Sequence, residues 1–370
     1  MNFLRPTFIL TVPLLALFSH AGAQVPSPTP PDSKSTEVSQ ERRQQAYSKM
    51  MEGQRYLWKS NPMRSPVNAA SNARLARNAF QSAVELDPTL AEGYTALAEL
   101  ALSMPPNDVE AAIGLSSLAT KIEPDNFGSH RILARLYTFK SHLNSGTVDK
   151  AAAATAVFEW KEVTRLDPRN AEAWAFLSEF YSLDGKADDQ ITALKRWVES
   201  ATPIDTQFYR RTMGGRGDLS SENASVKLGM ALIAAGRSSE AVPIMSQVVT
   251  DNPDNADAID ILQEALENSS PAASDSAVNS LKAAIYTNPD NVALVNLLSQ
   301  IYARSNRLDD AIKVLRDASD RVAATNRSAA AALDVSIGDL YASNERLPDA
   351  IGAYEKALAT RGIKDGQNVA

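Results

Sequence analysis

From Val38 almost to the end of this chain, apolar side chains recur three and four residues apart, the interval that lines up one side of a helix. Alternating runs rich in β-branched residues, which would signal strands, are missing. The pattern predicts an all-α protein. Trp174, Leu177, Ser178 and Tyr181 set an aromatic ring, a leucine and a tyrosine on one side of a helix, with a small residue between them. Asp184-Gly185-Lys186 predicts the turn that follows. Leu228-Gly229 falls in another such helix and Gly236-Arg237 in its turn. Ala241, Met245 and Val248 mark the stripe of the helix that returns.

Prolines punctuate this pattern. They occur at Leu86-Asp87-Pro88, Glu123-Pro124-Asp125, Leu166-Asp167-Pro168, Asn252-Pro253-Asp254 and Asn288-Pro289-Asp290, with a weaker phrase at Thr202-Pro203. Pro88 to Pro124 and Pro253 to Pro289 both span 36 residues. A fixed period of this length predicts stacked supersecondary units. The phrase between the prolines recurs. Gly53 and Tyr56 precede Ala76, Phe80, Ala83 and Pro88. Tyr94, Leu97, Ala98 and Ala101 precede Ala112, Ala119 and Pro124. Leu133, Ala134 and Tyr137 precede Ala156, Trp160, Val163 and Pro168. Leu262 and Leu266 precede Ala277, Leu281, Ala284 and Pro289. Leu298, Ser299 and Tyr302 precede Ala311, Leu315 and Ala318, and Ile337, Gly338 and Tyr341 precede Ala350, Tyr354 and Ala357.

Over about residues 43–362 the chain resembles the tetratricopeptide repeat, whose two antiparallel helices follow W-x2-L-G-x2-Y, A-x3-F-x2-A and a closing proline. The resemblance implies a right-handed superhelical α-solenoid of about eight helix-turn-helix units. Small residues at the crossings let helix axes approach, large ones fill the gap to the next unit, and proline stops the second helix. The expected organisation is four repeats over 40–200, an irregular segment over 201–222, four repeats over 223–362, and a tail over 363–370. Insertions fall near Asn61–Ser71 and Lys140–Asp149. Gln190 stands where a small alanine is expected, which predicts a register shift in that helix. Ile204–Glu222, with Met213-Gly214-Gly215-Arg216-Gly217, fits no helix and reads as a long loop that bends the stack. The seventh unit lacks its proline and breaks at Thr325-Asn326-Arg327. No polar cap is visible after Gly362, so either the last helix caps itself or the chain is the front of a longer protein.

The N-terminus carries a different signal. Arg5, the apolar run Phe8–Phe18 of about eleven residues and Ala21-Gly22-Ala23 read as a secretory leader over 1–23. The run is shorter than the ~20 residues needed to span a bilayer. Gln24 to about Ser39, rich in proline and serine, reads as a disordered tether. An exported, periplasmic or secreted bacterial protein is expected, with no integral membrane span in its mature form. The chain has no cysteine, which excludes disulfides, thiol nucleophiles and thiol-based zinc sites. Its net charge of -7 becomes -8 without Arg5, a poor match for nucleic acid.

Chemistry is sparse. Of three histidines, His20 lies in the leader, His142 in an inserted loop, and His130 at the bulky ring position of the third unit, where it reads as a packed ring. No phosphate loop or G-x-S-x-G phrase occurs. Asp188-Asp189 and Asp309-Asp310 stand at helix starts, where they complement the helix dipole. No catalytic residue, cofactor or metal is expected.

In the repeat family, the first helix of each unit lines a concave groove that takes a peptide. The corresponding positions here are Glu92, Thr95 and Glu99; Arg131 and Arg135; Glu172 and Glu179; Val226, Met230 and Ile233; Asp257, Asp260, Glu264 and Glu267; Asn296, Gln300 and Arg304; and Asp339. This set is acidic at both ends and apolar in the middle, which predicts a basic or mixed protein segment with apolar anchors. The Lys and Asn set with which some members hold a terminal carboxylate is not present. The expected function is an exported, non-enzymatic scaffold that assembles envelope or secretion proteins. The rival is an accessory segment of a larger enzyme or secretion machine continuing past Ala370.

Overall fold

The computed structural model describes residues 38–60, 67–143, 147–200, 206–213, 218–269 and 271–362. The leader, nearly all of the tether and the tail after Gly362 lie outside the described residues. So do Pro203 and the run Gly214–Gly217.

Seventeen helices are described, and no strand is found among the described residues. Sixteen of them follow one another as eight helix-turn-helix units. The first four are α1 (Gln40–Lys59) with α2 (Ala69–Leu86), α3 (Ala91–Ser103) with α4 (Val109–Ile122), α5 (Phe127–Lys140) with α6 (Lys150–Leu166), and α7 (Ala171–Leu183) with α8 (Ala187–Val198). A short α9 (Gln207–Thr212) stands alone. The remaining units are α10 (Ser221–Ala234) with α11 (Ser238–Asp251), α12 (Ala256–Glu267) followed by α13 (Pro271–Thr287), which packs on α11 and α14, α14 (Val292–Arg304) with α15 (Leu308–Val322), and α16 (Arg327–Ser343) with α17 (Leu347–Arg361). Each hairpin packs on its neighbours in the chain, which makes the molecule an all-α solenoid.

The joints between hairpins have a simple local logic. Before each proline the backbone leaves the helical region, as at Asp87, Glu123, Asp167 and Asn252. Two residues after Pro124, Pro168, Pro253 and Pro289 stands an asparagine whose side chain accepts from a backbone amide of the next helix. Asn126 accepts from Ser129, Asn170 from Ala173, Asn255 from Ala258 and Asn291 from Leu294, at 2.9–3.2 Å. Inside a hairpin, small residues permit contact. A Cβ on Gly53 would sit 2.4 Å from the Phe80 ring, and one on Gly338 would sit 2.4 Å from the Tyr354 ring.

The core is not uniform along the stack. One cluster fills α1 to α4 around Phe80, Tyr94 and Leu97. A second runs from the third hairpin to the eighth. A small set, Ala98, Ala101, Ala112, Ile132 and Leu136, joins the two.

The segment Ile204–Glu222 departs from the expected long loop. Gln207–Thr212 is helical, and α10 already begins at Ser221. The cause is aromatic. Trp197, next to last in α8, occupies the site where Ala83 and Ala119 stand in earlier hairpins. It is fully buried and donates from its indole N–H to the Leu219 carbonyl at 3.3 Å. Tyr209 meets Trp197 edge-on at 5.8 Å and Phe176 at 5.3 Å, while Phe208 lies 5.6 Å from Phe176. Phe176 in turn stacks on Trp160 at 5.1 Å. Such ring pairs add to the stabilisation from area burial alone. In α8, Ile191, Ala193, Leu194 and Trp197 form the buried stripe, and Gln190 lies half-buried beside it.

Candidate functional site

The projected groove residues lie on the first helices of the hairpins, odd-numbered in the first four and even-numbered after α9. Three stretches of this surface differ.

The first stretch holds a cavity of about 400 Å³. Met50, Leu57, Phe80, Ala96 and Phe127 provide apolar lining, with Gln54, Thr95, Asn126 and Gly128. Four carboxylates stand round it, on Glu92, Glu99, Glu123 and Asp125, and all four residues are exposed. Asp125 also accepts from Arg165 at 2.6 Å, and Glu123 accepts from Asn126 at 2.8 Å. The groove wall desolvates the Glu99 carboxyl and holds it above the usual carboxylate range, although Arg131 and Arg135 pull the other way. Among the described residues no three acidic or histidine side chains come close enough to hold a metal ion. The quartet is therefore a negative field spread over an apolar floor.

The second stretch is closed. Sequence reasoning projected Arg131, Arg135 and Glu172 as groove-facing charges. The structure brings the three together. Glu172 is only 2% exposed. Arg131 donates from Nε to its Oε2 at 3.1 Å, and Arg135 donates to its two oxygens at 2.8 and 3.0 Å. The Arg135 guanidinium also lies 5.1 Å from the Phe208 ring of α9. The projection of Glu172 as a solvated groove carboxylate is thus corrected: the helix start that exposes it in one hairpin is roofed by two arginines of the preceding one. Glu179 accepts from Lys227 at 2.9 Å, tying the fourth hairpin to the fifth across α9.

The third stretch begins at α10. Met230 is exposed, and Val226 and Ile233 are half-buried. Asp257, Asp260, Glu264, Glu267 and Gln300 are exposed. Arg304 donates to the carbonyls of Leu266 and Glu267 at 3.0 and 3.3 Å, which closes the C-terminal end of α12. Asn296 is half-buried, and Asp339 accepts from the Tyr354 hydroxyl at 2.7 Å.

His130 is a packed ring, as its position suggested. Nε2 lies 2.9 Å from the Pro124 carbonyl, and Nδ1 lies 2.6 Å from Glu159 Oε2. Trp174 makes the equivalent bond one hairpin later, donating from its indole N–H to the Pro168 carbonyl at 2.9 Å. The parallel assigns the Nε2 proton to Pro124 and leaves Nδ1 facing the carboxylate. Burial disfavours the charged ring, but the bonds to Glu159 and Pro124 outweigh it and raise its pKa above 6.5. Both nitrogens are occupied, and the ring has no free edge for chemistry. Among the described residues no helix is long and apolar enough to cross a membrane.

Comparison with known proteins gives a consistent picture at the level of the repeat. Residues 272–324 match the sequence model of the family described as tetratricopeptide repeat. No curated protein matches the chain. Among solved structures, the chain is similar to a thermophilic TPR protein of Thermus thermophilus, with 19% identity, a TM-score of 0.31, and coverage of 58% of this chain and 99% of that one. It is similar to a tetratricopeptide repeat protein from Parabacteroides merdae, with 12% identity, a TM-score of 0.36, and 73% and 93% coverage. It is also similar to YrrB, described as a TPR protein with an unusual peptide-binding site, with 16% identity, a TM-score of 0.25, and 66% and 92% coverage.

Proposed function

We propose that this chain is a non-enzymatic scaffold that binds protein segments along its inner surface, and that its principal docking point is the cavity between α1, α3 and the start of α5. The observation that carries this reading is the pairing of an apolar floor with four surrounding carboxylates. Such a site suits a lysine or arginine whose methylene stem lies on Met50, Leu57 and Phe80 while its charged head meets Glu92, Glu99 or Glu123. A second, apolar anchor of the same segment fits at Met230 on the far side of the closed stretch. The leader over 1–23 supports export, so we place the partner among envelope or secreted proteins.

The test is fluorescence anisotropy with two labelled peptides, one carrying Lys and Leu and one carrying Asp and Leu at the same positions. The basic peptide is expected to bind, to weaken as salt rises, and to be lost in a Glu92→Lys, Glu99→Lys chain of unchanged helicity. Equal binding of both peptides, or binding untouched by the charge reversal, would overturn the reading. A Met230→Asp, Ile233→Asp chain that captures the peptide as before would remove the second anchor.

A further inference from the structure

Two joints between units are clasped by a ring. At the later one the Trp174 indole N–H donates to the Pro168 carbonyl at 2.9 Å, and an indole N–H does not titrate. At the joint beside the cavity the same place is taken by His130, whose Nε2 lies 2.9 Å from the Pro124 carbonyl. Pro124 stands between Glu123 and Asp125, two of the four carboxylates round the cavity, and Asn126 after them also lines it. The clasp on the docking cavity is therefore a group that gains and loses a proton near neutral pH.

The other ring nitrogen makes that clasp conditional. Nδ1 lies 2.6 Å from Glu159 Oε2, and the two side chains are 6% and 10% exposed. Both partners of the ring are acceptors. A charged ring has an N–H for each, whereas a neutral ring has one proton for two. A hydrogen bond to a carboxylate is roughly twice as strong as one between neutral groups. A neutral ring thus favours keeping its proton on Nδ1, which leaves a lone pair facing the Pro124 oxygen.

Several elements bring charge near the ring. From α6 come Glu159, Glu162 and Arg165, the last bonded to Glu162 and to Asp125. The joint contributes Glu123 and Asp125, and α4 contributes Lys121 in its last turn. On the ring's own helix, Arg131 and Arg135 are held by Glu172. From α3 the joint receives Thr95, which bonds Asn126 and Ser129 and does not titrate. Burial lowers the ring's pKa, but the bonds to Glu159 and Pro124 and the charges of Glu159 and Glu162 carry it above 6.5.

We propose that the docking cavity is regulated by pH through His130: the charged ring holds Glu123 and Asp125 in place for a basic segment, and the neutral ring releases the Pro124 carbonyl and weakens the hold on that segment. The proposal rests on the docking reading above. Its direction separates it from ordinary titration. Loss of the ring's charge and ionisation of Glu99 both make the surroundings more negative as pH rises, which strengthens the grip on a cation. Release of the clasp does the reverse.

The test is anisotropy at pH 6 and pH 8.5 with the peptide carrying Lys and Leu, acetylated so that no α-amino group titrates. Affinity should fall about three- to ten-fold at the higher pH, the worth of one hydrogen bond. A His142→Gln chain should show the same fall. A Glu159→Gln chain should not, because its amide can donate to Nδ1 and leave the ring proton on Nε2; its affinity at pH 8.5 should match that of the unaltered chain at pH 6. Nitrogen NMR of the histidine-labelled chain should show both His130 nitrogens protonated at pH 6 and only Nδ1 at pH 8.5. Peptide binding that holds or strengthens with pH overturns this proposal alone. No binding at either pH overturns the docking reading and this proposal with it. A proton that stays on Nε2 at pH 8.5, or a Glu159→Gln chain whose affinity still falls, overturns the clasp.

Discussion

The inner surface handles charge in two opposite ways. Around the first cavity, Glu92, Glu99 and Glu123 face an open space, and among the described residues no cation is bonded to the first two. A few helices further on, Glu172 is sealed beneath Arg131 and Arg135, with α9 laid against the pair. Both stretches occupy equivalent places in the repeat. The difference teaches that a charge on the inner side of a helical stack is available to a partner only where the neighbouring hairpin leaves it unclaimed.

The strongest way to break this comparison is to remove the wedge that closes the second stretch. Tyr209→Ala should cost about 3–5 kcal/mol in urea unfolding, because a fully buried ring between Phe176 and Trp197 is lost. A cost under about 1 kcal/mol would mean that α9 rests on the surface rather than in the core. Tyr209→Phe is the matching control. The Tyr209 hydroxyl is buried, shows no hydrogen-bond partner among the described residues, and is pushed to a high pKa by desolvation first and by Glu179 and Asp218 second. Removing it should leave stability equal or slightly raised.

Glu172→Gln comes next. It leaves two guanidinium groups without their carboxylate, and since both arginines are partly solvated the cost should sit near the low end of the range for broken buried pairs, about 3 kcal/mol. Glu99→Gln in the open stretch should cost less than about 0.5 kcal/mol, typical of exposed positions. If the two substitutions cost the same by denaturant midpoint, the distinction between claimed and unclaimed carboxylates fails. Gly229→Leu should cost roughly 1–3 kcal/mol, since even a Cβ there would lie 2.8 Å from Met245 Sδ and 3.1 Å from Ile261 Cγ2. An unchanged melting temperature would show that the crossing can relax.

The smallest expected effect is a pH dependence. His130 has a folded pKa above its unfolded 6.5, so its contribution is complete below pH 6.5 and fades as pH rises through the folded value. Denaturant unfolding at pH 6 and pH 8.5 should show the chain losing more stability on going to the higher pH than a His130→Gln chain does. Identical losses would mean that the ring and Glu159 do not share a proton in the folded state.

Most of the architecture was legible in the residues themselves. Pro88, Pro124, Pro168, Pro253 and Pro289 mark the joints, and Gly53, Ala98, Ser178 and Gly338 mark the close crossings. The asparagine two residues after four of those prolines was an equally local signal, since the cap bond reaches only three residues ahead. The wedge was not legible. Six residues contain no helical period, and α9 exists because Trp197, Phe176 and Leu219 give Phe208 and Tyr209 somewhere to go. Nor was the fate of Glu172, because its partners lie 37 and 41 residues earlier and only the stacking angle of two hairpins decides that they meet. The cavity likewise depends on how α1, α3 and α5 curve past one another. Position in the repeat projected one face of each first helix, and left open which of its side chains the chain uses for itself.

The break between the first core cluster and the long second one has a mechanical meaning. The opening two hairpins meet the remainder through a separate patch, where Leu102, Val109, Ala111, Ile113 and Leu115 pack against the buried Ala98, Ala101, Ala112, Ile132 and Leu136, and Thr95 bonds Asn126 and Ser129 across the joint. The cavity lies across the same joint, with Met50 and Phe80 on one bank and Phe127 on the other. A guest seated there would touch both banks and so fasten the two clusters to each other by the free energy of its own attachment.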